Sequence, residues 1–198
     1  MNRVYLIRHA ATAGNLERRY TGVTDEPLCA LGRQQAKALA GTLPEPDALF
    51  VSPLRRAAET AALLFPARKP VQVPELRETD FGDFEGLTGA ELWERDPRYR
   101  LWVDGGCKGP IPGGEHPREA AKRVRDAFLR SMADVPEGKS AAFVLHGGGI
   151  MAICAALAVP ARDFYAWHTD NAHARAFLWD GNVLRETAPK GPDPSQNR

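Results

Sequence analysis

Imidazoles and guanidiniums stand at the ends of three apolar runs. Arg8-His9 follows Val4-Tyr5-Leu6-Ile7, Ser52 with Arg55 and Arg56 follows Ala48-Leu49-Phe50-Val51, and His146 follows Ala141-Ala142-Phe143-Val144-Leu145. His146 runs into Gly147-Gly148-Gly149. Those glycines allow close backbone approach, and a helix opening there presents free N–H groups that attract an anion. Gathered in one place, these groups make a cationic pocket with two imidazoles. Phosphate suits it, because planar Arg forks match phosphate oxygens. Neighbours on a helix point about 100° apart, so only one of Arg55 and Arg56 faces such a pocket. Thr12 and Asn15, just after His9, add further donors.

Transfer of a phosphoryl group from an alcohol also needs a proton for the departing oxygen. The stretch Leu76 to Gly86 offers Glu78, Asp80, Asp83 and Glu85, and composition does not choose among them. A metal site fits less well. The histidines at 9, 116, 146, 168 and 173 form no HExxH pattern, and adjacent Arg would repel a cation. Gly138-Lys139-Ser140 resembles the end of a phosphate-binding Walker loop, but Ala133 stands where that motif needs Gly. No GxSxG elbow for a serine nucleophile occurs.

The elements that must position these groups are legible in the hydrophobic pattern. The three apolar runs read as strands buried on both faces, with Val71–Val73 and Arg175–Trp179 as further strands and Val183-Leu184 as a partner for the last. Helices are predicted from Leu31 to Leu43 with Pro44 as the stop, from a Ser52 N-cap with Pro53 at the first helical position to Phe65, from Ala90 to Arg95, from Arg118 to Met132 and from Ile150 to Leu157. Ala10–Asn15 and Glu75–Gly86 read as loops, and Gly105–Gly114 as a surface excursion. The tail from Pro189 is expected to be disordered. Strands alternating with helices imply a three-layer α/β/α sandwich around a mostly parallel central sheet. Such sheets bind ligands beyond the carboxyl ends of their strands, which is where Arg8-His9, Ser52 and His146 stand.

Composition narrows the setting. The 198 residues make about one domain, expected over residues 1–188. Lys and Arg number 26 against 25 Asp and Glu, a net charge of +1 that argues against a dedicated nucleic-acid or membrane-surface binder. The apolar runs are too short to cross a bilayer, and the first eight residues do not read as a signal peptide. Cys29, Cys107 and Cys154 form no CxxC pair and read as reduced thiols in a cytoplasmic protein.

Taken together, the motifs resemble the histidine phosphatase (phosphoglycerate mutase-like) superfamily. Arg8-His9-Ala10-Ala11-Thr12-Ala13-Gly14-Asn15 resembles its RHGxTxxN opening. Thr21-Gly22, Asp25, Pro27-Leu28, Leu31-Gly32 and Gln35-Ala36 resemble the next block. Ser52-Pro53-Leu54-Arg55-Arg56-Ala57 with Glu59-Thr60-Ala61 resembles SPLxRAxQTA and selects Arg56. Leu76-Arg77-Glu78 with Gly82 and Glu85-Gly86-Leu87-Thr88 resembles LxExxxGxxEGLT and selects Glu78. Pro112-Gly113-Gly114-Glu115 resembles PGGES, and Val144-Leu145-His146-Gly147-Gly148 resembles VSHGG.

The resemblance implies that His9 is the nucleophile and that Arg8, Arg56 and His146 clamp the phosphoryl group, helped by Asn15 and Thr12. Glu78 would be the proton donor and then the base for water. It implies a phosphoglycerate mutase-like fold, a small phosphorylated metabolite as substrate, no metal or other cofactor, and a monomer or homodimer. Length and the stretch Tyr99–Glu115, with Trp102 ahead of Pro-Gly-Gly-Glu, resemble short alpha-ribazole phosphatase-type members of cobalamin assembly. A mutase-type phosphotransferase and a non-catalytic phosphate sensor are the alternatives. Residues 89–116 are expected to form a lid that carries Trp93, Tyr99, Trp102 and Cys107. Glu59, Phe84 and His116 depart from the pattern, and Ala10 stands where Gly is usual. A positive φ at residue 10 would strain Ala by about 1–2 kcal/mol.

Overall fold

Alternating side chains along the central strands build two cores, one on each face of a sheet. A computed structural model of the chain describes residues 1–188; the tail from Pro189, expected to be disordered, lies outside the described residues. The strands are β1 (Asn2–Arg8), β2 (Ala48–Val51), β3 (Val71–Gln72), β4 (Ser140–Leu145), β5 (Ala158–Val159), β6 (Ala174–Trp179) and β7 (Leu184–Thr187). They form one sheet in the order β3-β2-β4-β1-β6-β7-β5. β1, β2, β3 and β4 pair in parallel, and β6 runs antiparallel to its neighbours β1 and β7. The sheet is therefore mostly parallel, as its apolar runs predict.

Helices α1 (Ala13–Leu16), α2 (Ala30–Leu39), α3 (Arg55–Leu64), α4 (Gly89–Arg95), α5 (Pro97–Asp104), α6 (Pro117–Ala133) and α7 (Gly147–Leu157) complete the chain. Successive strand residues point to opposite faces. Val4 and Leu6 of β1, with Phe143 and Leu145 of β4, pack against Val124 and Phe128 of α6 and Ile150 and Ile153 of α7. Tyr5 and Ile7, with Ala142 and Val144, pack against Ala57, Ala61 and Leu64 of α3. That is the three-layer arrangement. A separate aromatic cluster of Phe84, Leu92, Tyr99, Trp102 and Ile111 holds the 89–116 segment together. Among the described residues, no helix is long and apolar enough to cross a membrane.

Several boundaries differ from the sequence expectation, each for a physical reason. α3 begins at Arg55 rather than behind a Ser52 cap. Its N-cap, Leu54, has no polar side chain to cap with, and the Ser52 hydroxyl, two residues earlier, bonds His146 Nε2 and the Leu54 N–H. α2 ends at Leu39, well before Pro44, where Gly41 takes φ +79° and the Thr42 hydroxyl donates to the Leu39 carbonyl. α1 winds within the expected loop because Thr12 and Asn15 form a capping box. α7 starts at Gly147, three residues ahead of Ile150. α5 was masked by its Gly/Pro-rich surroundings, although Asp96 caps it and Pro97 opens it. The Glu75–Gly86 loop contains two 3-10 turns, Pro74–Leu76 and Gly82–Phe84, and a third, Phe164–Trp167, precedes β6.

Candidate active site

Parallel pairing sets two imidazoles side by side. Arg8 of β1 aligns with Leu145 of β4, so His9 and His146 occupy the next step along each strand. Their ring centroids are 5.1 Å apart. His9 Nδ1 donates to the Ala10 carbonyl at 2.8 Å. A carbonyl can only accept, so the proton is on Nδ1 and Nε2 carries the lone pair. Arg56 Nε donates to that Nε2 at 3.3 Å. Burial, the Arg56 charge and the Arg8 charge together hold the His9 pKa well below its ordinary value, against the opposing pull of the Ala10 carbonyl. The ring is a neutral base with its lone pair facing a guanidinium.

Arg56 is 1% exposed. Its Nη1 and Nη2 donate to the carbonyls of Thr24 and Gly22 at 2.8 and 2.6 Å, which fixes the planar fork. Arg55, one residue earlier, turns outward to Glu59. Arg8 donates through Nη1 to the Thr169 carbonyl at 2.9 Å, and its guanidinium lies beside Gly147 at the start of α7. Burial lowers the pKa of both arginines, while Glu78 raises it again.

Ser52 Oγ lies 2.6 Å from His146 Nε2 and accepts the Leu54 N–H at 3.3 Å. A hydroxyl oxygen can accept twice, so the Leu54 contact leaves both directions of this bond open; an anion beside the ring selects the tautomer in which the hydroxyl donates to Nε2 and Nδ1 carries the ring proton. Burial and the nearby Arg56, His9 and Arg8 hold this imidazole neutral as well. Two buried polar atoms in the cluster have no partner: His146 Nδ1 and Arg8 Nε. A buried donor without an acceptor costs about 1–3 kcal/mol. An anion bound between the two rings and the α7 N-terminus would satisfy both.

Asn15 and Thr12 occupy the turn after His9. Thr12 Oγ1 accepts the Asn15 N–H, and Asn15 Oδ1 accepts from Thr12 N and Asn171 Nδ2. The Asn15 amide nitrogen takes no part in these bonds. Ala10 is not in the left-handed region, so the anticipated strain is absent. It is fully buried against Leu28, Ala36 and Ala172, and its N–H reaches Thr60 Oγ1 at 3.0 Å.

The four acidic candidates separate by their partners. Glu85 accepts from the N–H groups of Val23, Thr24 and Phe81. Asp80 caps Gly82 N–H, and Asp83 pairs with Arg98. Only Glu78, among the four, reaches α7: its Oε2 accepts the Gly148 N–H at 3.2 Å and its Oε1 accepts the Thr79 N–H at 2.9 Å. Glu115 grips Arg123, and Arg123 in turn donates to the carbonyls of Arg77 and Glu78. Among the described residues, no three His, Cys, Asp or Glu side chains gather as a metal-binding group.

The model of the histidine phosphatase superfamily (branch 1) matches residues 4–187. The chain belongs to that superfamily. A Serratia proteamaculans (strain 568) protein named "Probable phosphoglycerate mutase GpmB" is 36% identical over 152 residues, covering 74% of this chain and 70% of its own. A mycobacterial glucosyl-3-phosphoglycerate phosphatase superposes with TM-score 0.84 at 31% identity, over 98% of this chain and 100% of the other. An alpha-ribazole phosphatase from Shigella flexneri superposes with TM-score 0.83 at 26% identity, over 93% and 94%.

Other members of the site escaped the sequence reading. Thr60 lies in a motif block but had no role there. Asn171 ties the His9 carbonyl to Asn15, and Thr169 holds Arg8, from more than 150 residues away along the chain. Three departures from the family pattern lie outside the cationic cluster. His116 Nδ1 caps α6, Glu59 pairs with Arg33 and Arg55, and Phe84 fills the aromatic cluster.

Proposed function

We propose that the protein is a metal-independent phosphomonoesterase that hydrolyses a small phosphorylated metabolite through a phosphohistidine on His9 Nε2. The observation that carries this reading is the pair of partnerless buried nitrogens, Arg8 Nε and His146 Nδ1, beside an imidazole whose bare nitrogen faces Arg56. Membership of a superfamily whose members include phosphatases supports it.

In the first step His9 Nε2 attacks phosphorus in line. The P–N bond forms, the P–O bond to the alcohol breaks, and Glu78 gives its proton to the departing oxygen. Arg8, Arg56 and His146, with the amide of Asn15 and the hydroxyl of Thr12, hold the equatorial oxygens, whose charge they offset. The Nδ1–H bond to the Ala10 carbonyl steadies the imidazolium that results. In the second step Glu78 takes a proton from water, the water oxygen attacks phosphorus, and the P–N bond breaks. His9 returns to its neutral form and inorganic phosphate leaves.

The test is rapid acid-free quenching during turnover of radiolabelled substrate, with His9→Ala as the control. The expected result is an acid-labile, alkali-stable label on His9 and loss of p-nitrophenyl phosphate hydrolysis in a folded His9→Ala variant. Turnover retained by His9→Ala refutes the reading.

The relative named for phosphoglycerate mutase favours a second reading, transfer back to the substrate instead of to water. Isomerisation of 3-phosphoglycerate without release of phosphate would establish it. The likeness to alpha-ribazole phosphatase makes alpha-ribazole 5'-phosphate a substrate to assay first.

A further inference from the structure

Next to Glu78 lies a cavity of about 340 Å³ walled by Tyr20, Phe81, Trp102, Met151, Phe164 and Tyr165. Its wall includes Thr79, which follows Glu78, and Gly148, whose N–H bonds the Glu78 carboxylate, so it lies next to the site although Glu78, His9 and the arginines do not line it. Among the described residues, no Lys, Arg, His, Asp or Glu lines it. Resting on the phosphatase reading, we propose that this cavity seats the departing alcohol. The substrate class is then a phosphomonoester of an uncharged alcohol that carries a flat apolar ring system.

Position supports the first half of that statement. The oxygen that leaves phosphorus must meet Glu78, so its substituent extends into the space that Thr79 and Gly148 border. Chemistry supports the second half. The indole N–H of Trp102 is taken by the Gly109 carbonyl at 3.1 Å, and the Tyr20 hydroxyl pairs with that of Tyr99 at 2.9 Å. Both rings therefore turn carbon toward the cavity. Tyr20 meets Phe81 at 4.9 Å and Trp102 at 6.3 Å between centroids, in tilted and edge-on arrangements that a further ring can extend. Phe164 is 37% exposed and Tyr165 63% exposed, and a ring in the cavity gives them something to cover. The volume is at the small end of ligand sites, roughly 300–1,000 Å³, and suits one or two rings.

The same lining disfavours a second anionic group on the substrate. A carboxylate placed there would be desolvated with no counter-charge, which is strongly unfavourable. A phosphoglycerate is therefore a poor occupant.

The experiment compares kcat/KM, by phosphate release, for 2-(1-naphthyl)ethyl phosphate, ethyl phosphate and 3-phosphoglycerate. The first two release similar primary alcohols, so their ratio reads the cavity. Covering a two-ring system predicts a naphthylethyl-to-ethyl ratio on the order of 100. The double variant Phe164→Ala, Tyr165→Ala should lower that ratio about tenfold. Met151→Arg should lower it further and raise the relative rate on 3-phosphoglycerate. Equal kcat/KM for all three esters, or a preference for 3-phosphoglycerate, overturns the inference and leaves the phosphatase reading standing. No phosphate from these esters or from p-nitrophenyl phosphate overturns the phosphatase reading itself.

Discussion

Gly148→Ala displaces the proposed acid while leaving Glu78 itself unchanged. A Cβ at residue 148 would stand 2.6 Å from Glu78 Oε1, whereas ordinary contact begins near 3.4 Å. The carboxylate must retreat by the difference, about 0.8 Å, and the 3.2 Å bond from Gly148 N–H to Oε2 is lost or lengthened with it. A displacement of this order costs roughly 100-fold in a positioned reaction, or about 2.7 kcal/mol. Position 148 lies inside α7 and does not take a positive φ, so Ala fits the backbone and adds up to about 1 kcal/mol of helix preference. The assay is kcat/KM across substituted phenyl phosphates and benzyl phosphate, all with one ring. Benzyl phosphate, whose alkoxide most needs a proton, should lose about 100-fold. The nitrophenyl ester should lose far less. Thermal unfolding should be unchanged or raised. Equal losses across the series would refute Glu78 as the proton donor, and no loss would refute the steric reasoning.

Three further outcomes follow from the same geometry. Ser52→Ala removes the partner of His146 Nε2, so kcat should fall about 10–100-fold; full activity would show that this hydroxyl does not fix the ring. Thr60→Val strands the buried Ala10 N–H and the bond to the Arg56 carbonyl, and urea unfolding should report a loss of about 1–3 kcal/mol. His9 and His146 are held neutral when folded but titrate near ~6.5 when unfolded. The unfolded chain thus binds more protons below that pH, and stability falls as pH falls, by up to about 1.4 kcal/mol per pH unit for each ring until the folded values are reached. Urea unfolding at pH 7.5 and 5.5 should therefore show a less stable protein at the lower pH, and His9→Asn with His146→Asn should flatten that dependence.

The parts of the fold that could be read in advance are those where one local signal had one meaning. β1, β2 and β4 are short apolar runs, and each ends beside a candidate site residue. Helix geometry admits only one of Arg55 and Arg56 to the site, the family motif picks Arg56, and Arg56 is the one beside His9 while Arg55 turns to Glu59. Signals with two possible uses were misread. Ser52 before Pro53 looks like an N-cap, yet a hydroxyl 94 residues from His146 in sequence serves that ring. Glu78 and Glu85 are the same residue type in one loop. Composition does not separate them; the family motif picks Glu78, and the tertiary partners, Gly148 for Glu78 and Val23 and Thr24 for Glu85, set the two apart in space. Asn171, Thr169 and the apolar cavity have no local signature, because each arises from segments brought together by the sheet.

The strand that leads into His9 is interior to the sheet, yet both of its neighbours come from far along the chain. Its neighbours are β4, aligned from Ser140, and β6, which reaches Trp179 opposite Asn2. On the ribosome, β1 therefore waits as an apolar segment without both flanks until β4 and then β6 have emerged. Such long-range pairing slows folding and leaves sticky intermediates open to chaperones. It also means that a nascent polypeptide arrested before Thr169 lacks the contacts of Thr169 with Arg8 and of Asn171 with Asn15, so the site should be completed only once that segment has emerged.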